Sequence, residues 1–204
     1  MIRQGIESRA NRRSIGLRTI TVFDLEFTAW ECSMARCWMT PGEFQEVVQI
    51  GAVKLDGESL AVLDELDLLV TPRINRDLSP YFTKLTTITN ADLAARGMDF
   101  AAAYEGFLDF AEGGAIAAFG RDDEVLTANL RLYGIGGARP LPPFQDLRRW
   151  FAACGIDPRG LHSCDIGPLL GVPFQSQTHN ALDDARSIAA GMKVMASRGA
   201  RIAA

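Results

Sequence analysis

Three apolar segments in the first third of the chain have the composition of β-strands. Thr19 to Leu25 is rich in β-branched and apolar residues, which predicts a buried strand that runs into acidic residues at its end. Glu46 to Leu55 and Leu60 to Val70 flank the turn-forming pair Asp56-Gly57, and this pattern predicts a hairpin beside the first strand. Pro72 then ends the pairing, because proline has no backbone N–H to donate.

Helices and short strands alternate along the rest of the chain. The predicted elements, in chain order, are helices at Asn90–Arg96 and Phe100–Ala111, a buried strand at Ala115–Phe119, a helix from Asp122 to Gly134, an amphipathic helix at Phe144–Cys154, a last strand at Leu161–Asp165 and a C-terminal helix that begins near Asn180. A leading hairpin followed by such alternation is typical of an α/β fold. We therefore expect a mixed five-stranded sheet flanked by helices.

The composition is that of an ordinary globular protein. With 48% hydrophobic and 23% charged residues, the 204-residue chain can bury a sizeable core, and we expect a single domain over residues 19–204. The apolar runs are strand-length, well short of the ~20 residues that a membrane span needs, so we expect no membrane association. We expect reduced thiols, since the spacing of the cysteines suits neither a zinc site nor a disulfide scaffold: Cys32, Cys37, Cys154 and Cys164.

Charge is distributed unevenly along the chain. The net charge is −4, and residues 1–18, with five arginines and one glutamate, contribute +4, so the remainder carries −8. This acidic remainder argues against a protein that holds nucleic acid on a broad basic surface, because phosphate binding relies on lysine and arginine. It suits a carboxylate cluster neutralised by bound cations. We expect residues 1–18 to form a flexible basic arm, and since no apolar segment follows as in a secretory signal, the expected location is cytoplasmic.

Two acidic residues, Asp24 and Glu26, lie at the end of the first predicted strand. A D-x-E pair at this place can converge on a shared cation. Taken alone, however, it is better explained as solvated acids at a strand terminus, because such pairs occur by chance in many chains.

A second acidic pair follows the strand at Ala115–Phe119. Gly120 opens a turn, and Asp122 and Asp123 lie at the start of the next helix. Acids in a first helical turn complement the helix macrodipole, and an N-cap role explains one of them. We assign Asp122 to capping and Asp123 to a functional site, and the opposite assignment stays open.

His179, one of the two histidines, introduces a third acidic pair, Asp183 and Asp184. If the C-terminal helix already included His179, Asp184 would lie about 140° around the axis from it. If Asn180 is the N-cap, Asp183 satisfies the helix start, and His179 lies in the preceding loop, free to approach Asp184. The other histidine, His162, has no acidic cluster at a comparable spacing and is predicted to be structural.

Together the three acidic elements resemble the DEDDh 3′→5′ exonucleases of the DnaQ-like group: a D-x-E pair, G-x-x-D about a hundred residues later, and H-x-x-x-x-D near the C-terminus. Residues 24–31, 49–53, 78–79 and 85–89 are similar to the Eri-type branch, which processes RNA ends. The similarity covers roughly residues 19–195 and implies a ribonuclease H-like fold. Two features depart from that branch: Thr87 stands where glycine is usual, and the segment after Trp30 differs in length and composition.

The resemblance also implies roles for individual residues. Two divalent cations, Mg²⁺ or Mn²⁺, would bind four carboxylates, those of Asp24, Glu26, Asp123 and Asp184. His179 would be the general base. The backbone of Phe27 and the segment around Leu85 would hold the terminal nucleotide, and the ring of Phe27 or Trp30 would stack on a base, so the candidate substrate-binding residues are Phe27, Thr28, Trp30 and Leu85.

The residue types suit phosphodiester hydrolysis on general chemical grounds. Two Mg²⁺ ions about 3.5–4 Å apart can activate a hydroxide and stabilise the leaving oxyanion, and hard cations select carboxylate oxygens. The resemblance further implies an exonuclease that releases nucleoside 5′-monophosphates from the 3′ ends of single-stranded RNA or DNA. The alternatives are an enzyme confined to very short oligonucleotides, a non-catalytic binding or regulatory module, and a phospho-acceptor signalling domain. The last is disfavoured by the opening hairpin and the scarcity of lysine.

Overall fold

The computed structural model describes residues 19–173 and 179–202. The predicted basic arm at residues 1–18 lies outside this part of the chain. No helix within it is long and apolar enough to cross a membrane.

A five-stranded sheet in the order β3-β2-β1-β4-β5 forms the centre of the fold. Its strands are β1 Thr19–Phe27, β2 Val47–Asp56, β3 Val62–Leu69, β4 Gly114–Ala118 and β5 Phe144–Asp146. The first three strands are antiparallel neighbours, whereas β4 runs parallel to β1 and β5 runs parallel to β4. The predicted hairpin and mixed five-stranded sheet are confirmed.

Seven α-helices surround the sheet in the described residues. They are α1 Pro80–Thr86, α2 Asn90–Arg96, α3 Phe100–Phe110, α4 Asp122–Leu132, α5 Leu147–Ala153, α6 Ile166–Leu169 and α7 Ala181–Ser197. Five of them begin at a residue whose side chain accepts a backbone N–H of the first turn: Ser79, Thr89, Asp99, Asp146 and Asn180. Such caps explain why the starts of α2, α3 and α7 could be predicted closely.

The helices bury both faces of the sheet. Successive residues of a strand point to opposite faces. Along β1, Val22 therefore packs against α5, α6 and α7, with Ile188 among its partners in that core, while Phe23 packs against α3 and α4, with Phe107 and Leu126. Two fully formed cores thus fix α7 on one face and α3 and α4 on the other.

Two predicted elements differ from the structure. Residues 144–146 of the predicted helix at Phe144–Cys154 form β5 instead, because they pair with Ile116–Ala118, and the helix begins only after Asp146 caps it. The predicted strand at Leu161–Asp165 is wrong. Here a 3₁₀ turn at Ser163–Asp165 leads into α6, and the Asp165 carboxylate accepts the backbone N–H of His162 at 2.8 Å.

Helix α1 was not predicted, although its start carries recognisable signals. Ser79 caps it, and Pro80 occupies its first position, where the missing N–H costs nothing. At its end Thr87 has a φ of +61°, the left-handed conformation that glycine adopts most easily.

Gly51 on β2 allows α7 to approach the sheet closely. A Cβ atom at this position would overlap the backbone of Leu182 in the first turn of α7. Gly51 is the cross-strand partner of Asp24, so the start of α7 lies directly over this part of β1. Gln49 supports the contact, since its Oε1 accepts the N–H of Ala181 at 3.0 Å.

Candidate functional site

Four carboxyl groups from three elements line one cavity of about 440 Å³. Asp24 and Glu26 lie on β1, Asp122 begins α4, and Asp184 lies in the first turn of α7. Asp24 and Glu26 are each 8% exposed and Asp184 4%. The structure thus brings together residues that are up to 160 positions apart in the chain, as the sequence predicted for three of them.

Asp24 and Glu26 lie inside β1 rather than at a frayed strand end, since the strand continues to Phe27. Two residues apart, they project from the same face of the sheet, the face covered by α7. A break in the β1–β2 register follows immediately, between Glu26 and Phe27. Such irregularities are common next to functional sites because they redirect the chain.

The structure corrects the assignment of Asp122 and Asp123. Asp122 is the first residue of α4 and faces the cavity, where its charge interacts with that of Asp24, and it makes no capping hydrogen bond. The Asp123 carboxylate points away and receives two hydrogen bonds of 2.9 Å from Arg121. The carboxylate in the cavity is therefore that of Asp122.

A sequence signal for Asp122 does exist further along α4. At about 100° per residue, positions i, i+4 and i+7 share one face of a helix, and Asp122, Leu126 and Asn129 have this spacing. Leu126 and Asn129 are fully buried. The Asn129 amide group accepts the N–H of Val47 at 3.0 Å and donates to the carbonyl of Gln45 at 2.7 Å, which fixes the rotation of α4 against β2.

The four carboxyl groups repel one another and are poorly solvated. Burial raises the pKa of Asp24 to about 7 and that of Asp184 to about 8, and the charge of Asp24 contributes to the rise at Asp184. Burial also raises the pKa of Glu26 and Asp122 well above the usual range, and the charge of Asp24 raises both further. Concentrated negative charge of this kind is unfavourable unless cations neutralise it.

His179 lies immediately before α7 in the predicted position. Asn180 is the N-cap of the helix and accepts the N–H of Asp183 at 3.2 Å, while the Asp183 carboxylate pairs with Arg186 at 2.8 Å. His179 itself has a φ of +61°, a strained conformation for a non-glycine residue. Strain of this kind persists only where the surrounding structure enforces it, as at functional sites.

His179 and two carboxylates are close enough to share a cation. Donor atoms of Glu26, His179 and Asp184 lie within 4.8 Å of one another. Asp184 Oδ1 is buried and has no hydrogen-bond partner among the described residues, which is costly for a polar atom. A divalent cation fits this place, since it would satisfy the orphaned oxygen and neutralise the carboxylates.

The second histidine, His162, belongs to the same site, which the sequence did not predict. It is exposed at the cavity wall, and its ring lies 6.1 Å from that of His179. Burial lowers the pKa of His179, and the neighbouring His162 lowers it further, while Asp165 acts in the opposite direction. The first two effects favour the neutral imidazole, which is the form that can accept a proton.

Aromatic and apolar side chains form the opposite wall of the cavity. Three of the predicted substrate-binding residues line it: Phe27, Trp30 and Leu85. Further lining residues come from the segment after Trp30 and from α1, and these were not predicted: Met34, Trp38, Tyr81 and Phe82. The ring of Trp38 packs edge-on against that of Phe27, with 5.4 Å between the ring centroids, so the end of β1 and the segment after Trp30 form one continuous wall.

Thr28 does not line the cavity, which corrects its prediction as a substrate-binding residue. Its side chain is buried, donates to the carbonyl of Phe44 and accepts the N–H of Glu46 at 3.0 Å. Its own carbonyl accepts the indole N–H of Trp38 at 2.9 Å. Thr28 therefore anchors the segment that carries Trp38.

The sequence model of a family described as an exonuclease, RNase T, matches residues 21–191. A sequence search of curated proteins gives no significant match.

Several solved structures share the fold at low sequence identity. The nuclease domain of 3′hExo, a DEDDh family member bound to rAMP, has a TM-score of 0.77 at 21% identity, covering 92% of this chain and 96% of that one. Cell-death related nuclease 4 has a TM-score of 0.72 at 19% identity, covering 91% and 66%. Exonuclease I of E. coli in complex with a dA16 oligonucleotide has a TM-score of 0.64 at 17% identity, covering 88% and 41%.

The structural matches agree with a ribonuclease H-like fold and with the resemblance to DEDDh exonucleases. The family model spans far more than half of the chain, including all four carboxylates of the cavity and His179. The chain therefore belongs to the exonuclease family.

Proposed function

We propose that this protein is a metal-dependent 3′→5′ exonuclease that releases nucleoside 5′-monophosphates from single-stranded RNA or DNA. The observation that carries the proposal is the convergence of four carboxyl groups beside His179 in a cavity with an aromatic wall. The direction of digestion is supported by the relatives, two of which are described as 3′-exonucleases.

Two divalent cations, Mg²⁺ or Mn²⁺, would be held by the carboxylates of Asp24, Glu26, Asp122 and Asp184. When bound, such ions lower the pKa of a water ligand and stabilise negative charge on phosphoryl oxygens. The donor set of four carboxylates is oxygen-rich, which hard cations prefer. The orphaned Oδ1 of Asp184 offers a lone pair that no group in the described part of the chain uses.

His179 acts as general base in this proposal. Burial lowers the pKa of its imidazole, which favours the neutral form, and the ring lies beside Glu26 and Asp184, so it can take the proton of the attacking water. The water oxygen forms a bond to the phosphorus of the terminal nucleotide, and the bond from phosphorus to the 3′ oxygen of the preceding nucleotide breaks. The shortened strand then gains a proton from solvent and carries a new 3′-hydroxyl.

The aromatic wall supports a single-stranded substrate with an accessible last base. Phe27, Trp30 and Tyr81 present rings to the cavity, and base stacking on such rings is tolerant of sequence. The bases of a duplex end are paired and stacked on each other, so they would have to open before entering. We therefore expect single strands to be digested faster than blunt duplexes.

The decisive experiment is digestion of a 5′-labelled single strand with Mg²⁺ or Mn²⁺ by wild type and by Asp24→Asn. Wild type should produce a ladder that shortens from the 3′ end together with mononucleotides, and Asp24→Asn should be inactive. Asp64→Asn, an exposed aspartate on β3, is the matched control and should keep full activity. Wild-type turnover by Asp24→Asn would refute the assignment. Matched RNA and DNA strands in the same assay would determine the sugar preference.

His179→Ala separates catalysis from cation binding. Removing a general base typically costs ~10²–10⁴-fold in rate, whereas the four carboxylates stay in place. Mn²⁺ binding to His179→Ala, measured by calorimetry, should therefore stay close to that of wild type. Loss of Mn²⁺ binding in this variant would make His179 a metal ligand instead.

A further inference from the structure

Ser163 makes a long-range hydrogen bond to the cavity that neither the sequence motifs nor the proposed chemistry includes. Its hydroxyl donates to Asp24 Oδ1 at 2.6 Å, across 139 positions of the chain. Ser163 is half-buried at the cavity wall, and this contact works against the effect of burial on Asp24, since it lowers the pKa of the carboxyl group.

The 3₁₀ turn that carries Ser163 is held from two sides. On one side the Arg148 guanidinium donates to the carbonyls of Leu161 at 3.1 Å and Phe119 at 3.3 Å, and it also lies over the Phe119 ring at 4.8 Å. The turn is therefore tied to the end of β4 by a side chain of α5.

On the other side the turn is tied to α7. The hydroxyl of Ser187, which is fully buried, donates to the carbonyl of Cys164 and accepts the N–H of Gly167, both at 3.0 Å. Ser163 is thus part of a rigid support between two helices, and its hydroxyl has a defined place relative to Asp24.

We propose that Ser163 is a positioning residue that holds the Asp24 carboxylate in one orientation for divalent cations. This inference rests on the proposed function. A serine hydroxyl has one proton, and by giving it to Oδ1 it leaves the Oδ2 oxygen of Asp24 available to a cation. A donor aimed at a ligating carboxylate favours its charged form and fixes its rotation, and loss of such a partner typically costs ~10–100-fold in metal affinity.

The test is Mn²⁺ binding in the absence of nucleic acid, measured by calorimetry on wild type, Ser163→Ala, Ser163→Thr and Ser163→Cys. Affinity should fall ~10–100-fold for the alanine variant, stay close to wild type for threonine, and be intermediate for cysteine, because a thiol is a weak donor. Ser197→Ala, an exposed serine near the end of α7, is the control and should bind as wild type does. Nuclease activity of Ser163→Ala should recover at high Mn²⁺, with the half-saturating concentration raised by the same factor.

Two results would overturn the inference. One is an affinity order that follows side-chain volume instead of donor strength, and the other is wild-type Mn²⁺ affinity in Ser163→Ala. Both are distinct from failure of the proposed function, in which wild type itself would neither bind Mn²⁺ nor shorten a single strand.

Discussion

Replacing Asp24 by asparagine should make the metal-free protein more stable while it removes activity. Asp24 is 8% exposed and lies among three other carboxyl groups. The asparagine side chain has the same shape, its oxygen can still accept the Ser163 hydroxyl, and its amide can donate to a neighbouring carboxylate. The substitution therefore removes a buried charge without creating a cavity.

The magnitude follows from the pKa of Asp24, which burial raises from 3.8 to about 7. A rise of this size means that the folded state disfavours the charged carboxylate by roughly 4 kcal/mol. This value is an upper limit for the stability that Asp24→Asn can gain. Because the folded state binds the proton more tightly than the unfolded state, the stability of wild type falls as pH rises from about 4 to about 7. We expect Asp24→Asn to raise the free energy of unfolding by at least about 1 kcal/mol at pH 8, which corresponds to roughly 2–4 °C in Tm for a domain of this size.

The assay is thermal unfolding in EDTA at pH 5 and pH 8, with Asp64→Asn as the control. The advantage of Asp24→Asn should be clear at pH 8 and small at pH 5, where Asp24 is protonated in wild type. Saturating Mg²⁺ should narrow the difference, since a ligand that binds only the folded state stabilises wild type. Equal stability of Asp24→Asn and wild type in EDTA at pH 8, or a gain that does not depend on pH, would refute the reasoning.

Three further predictions concern the histidine, the aromatic wall and the contact of α7 with the sheet. Because burial lowers the pKa of His179 from its ordinary value of 6.5, kcat at saturating Mg²⁺ should fall to half of its plateau value at a pH below 6.5, and a midpoint at or above pH 6.5 would contradict this. Trp30→Ala should raise KM for a single strand roughly 5–100-fold with a smaller effect on kcat, as expected for loss of one stacked base, and an unchanged KM would exclude stacking. Gly51→Ala should lower the free energy of unfolding by about 1–3 kcal/mol or more and abolish activity, since its methyl group overlaps Leu182 and displaces the helix that carries Asp184. Denaturant unfolding measures this loss. Gly106→Ala is the control: its methyl group meets only Leu68 at 3.7 Å, so the free energy of unfolding should instead rise by about 0.5–1 kcal/mol.

Local chemistry explains which elements could be predicted from the sequence. The hairpin turn at Asp56 forms because the carboxylate accepts the N–H groups of Glu58 and Ser59, and Asn180 starts α7 by the same kind of contact. Such contacts join residues that are at most three positions apart, so the residue types at these positions indicate them in the sequence. β5 has only three residues and exists because β4 offers a parallel partner, so its sequence carries no comparable pattern.

The same distinction applies to the site. Asp24, Glu26, Asp184 and His179 were predicted, because a buried strand and a capped helix place them. His162 and Ser163 line the cavity because contacts with distant elements hold their turn in place. The spacing of residues along the chain does not indicate these contacts.

The orientation of Asp122 can be inferred from a buried polar residue further along the same helix. Two adjacent acids differ by about 100° around a helix, so the choice between Asp122 and Asp123 depends on which face of α4 meets the sheet. Leu126 alone does not decide it, because Leu126 is four residues from one acid and three from the other. Asn129 decides it: a polar side chain in a helix interior is buried only where backbone groups satisfy it, and Val47 of β2 and Gln45 just before the strand provide those groups. The hydrogen-bonded amide of Asn129 therefore identifies the face of α4 that meets the sheet. Asp122, seven residues before Asn129, lies on the same face, so its carboxylate is the one in the site.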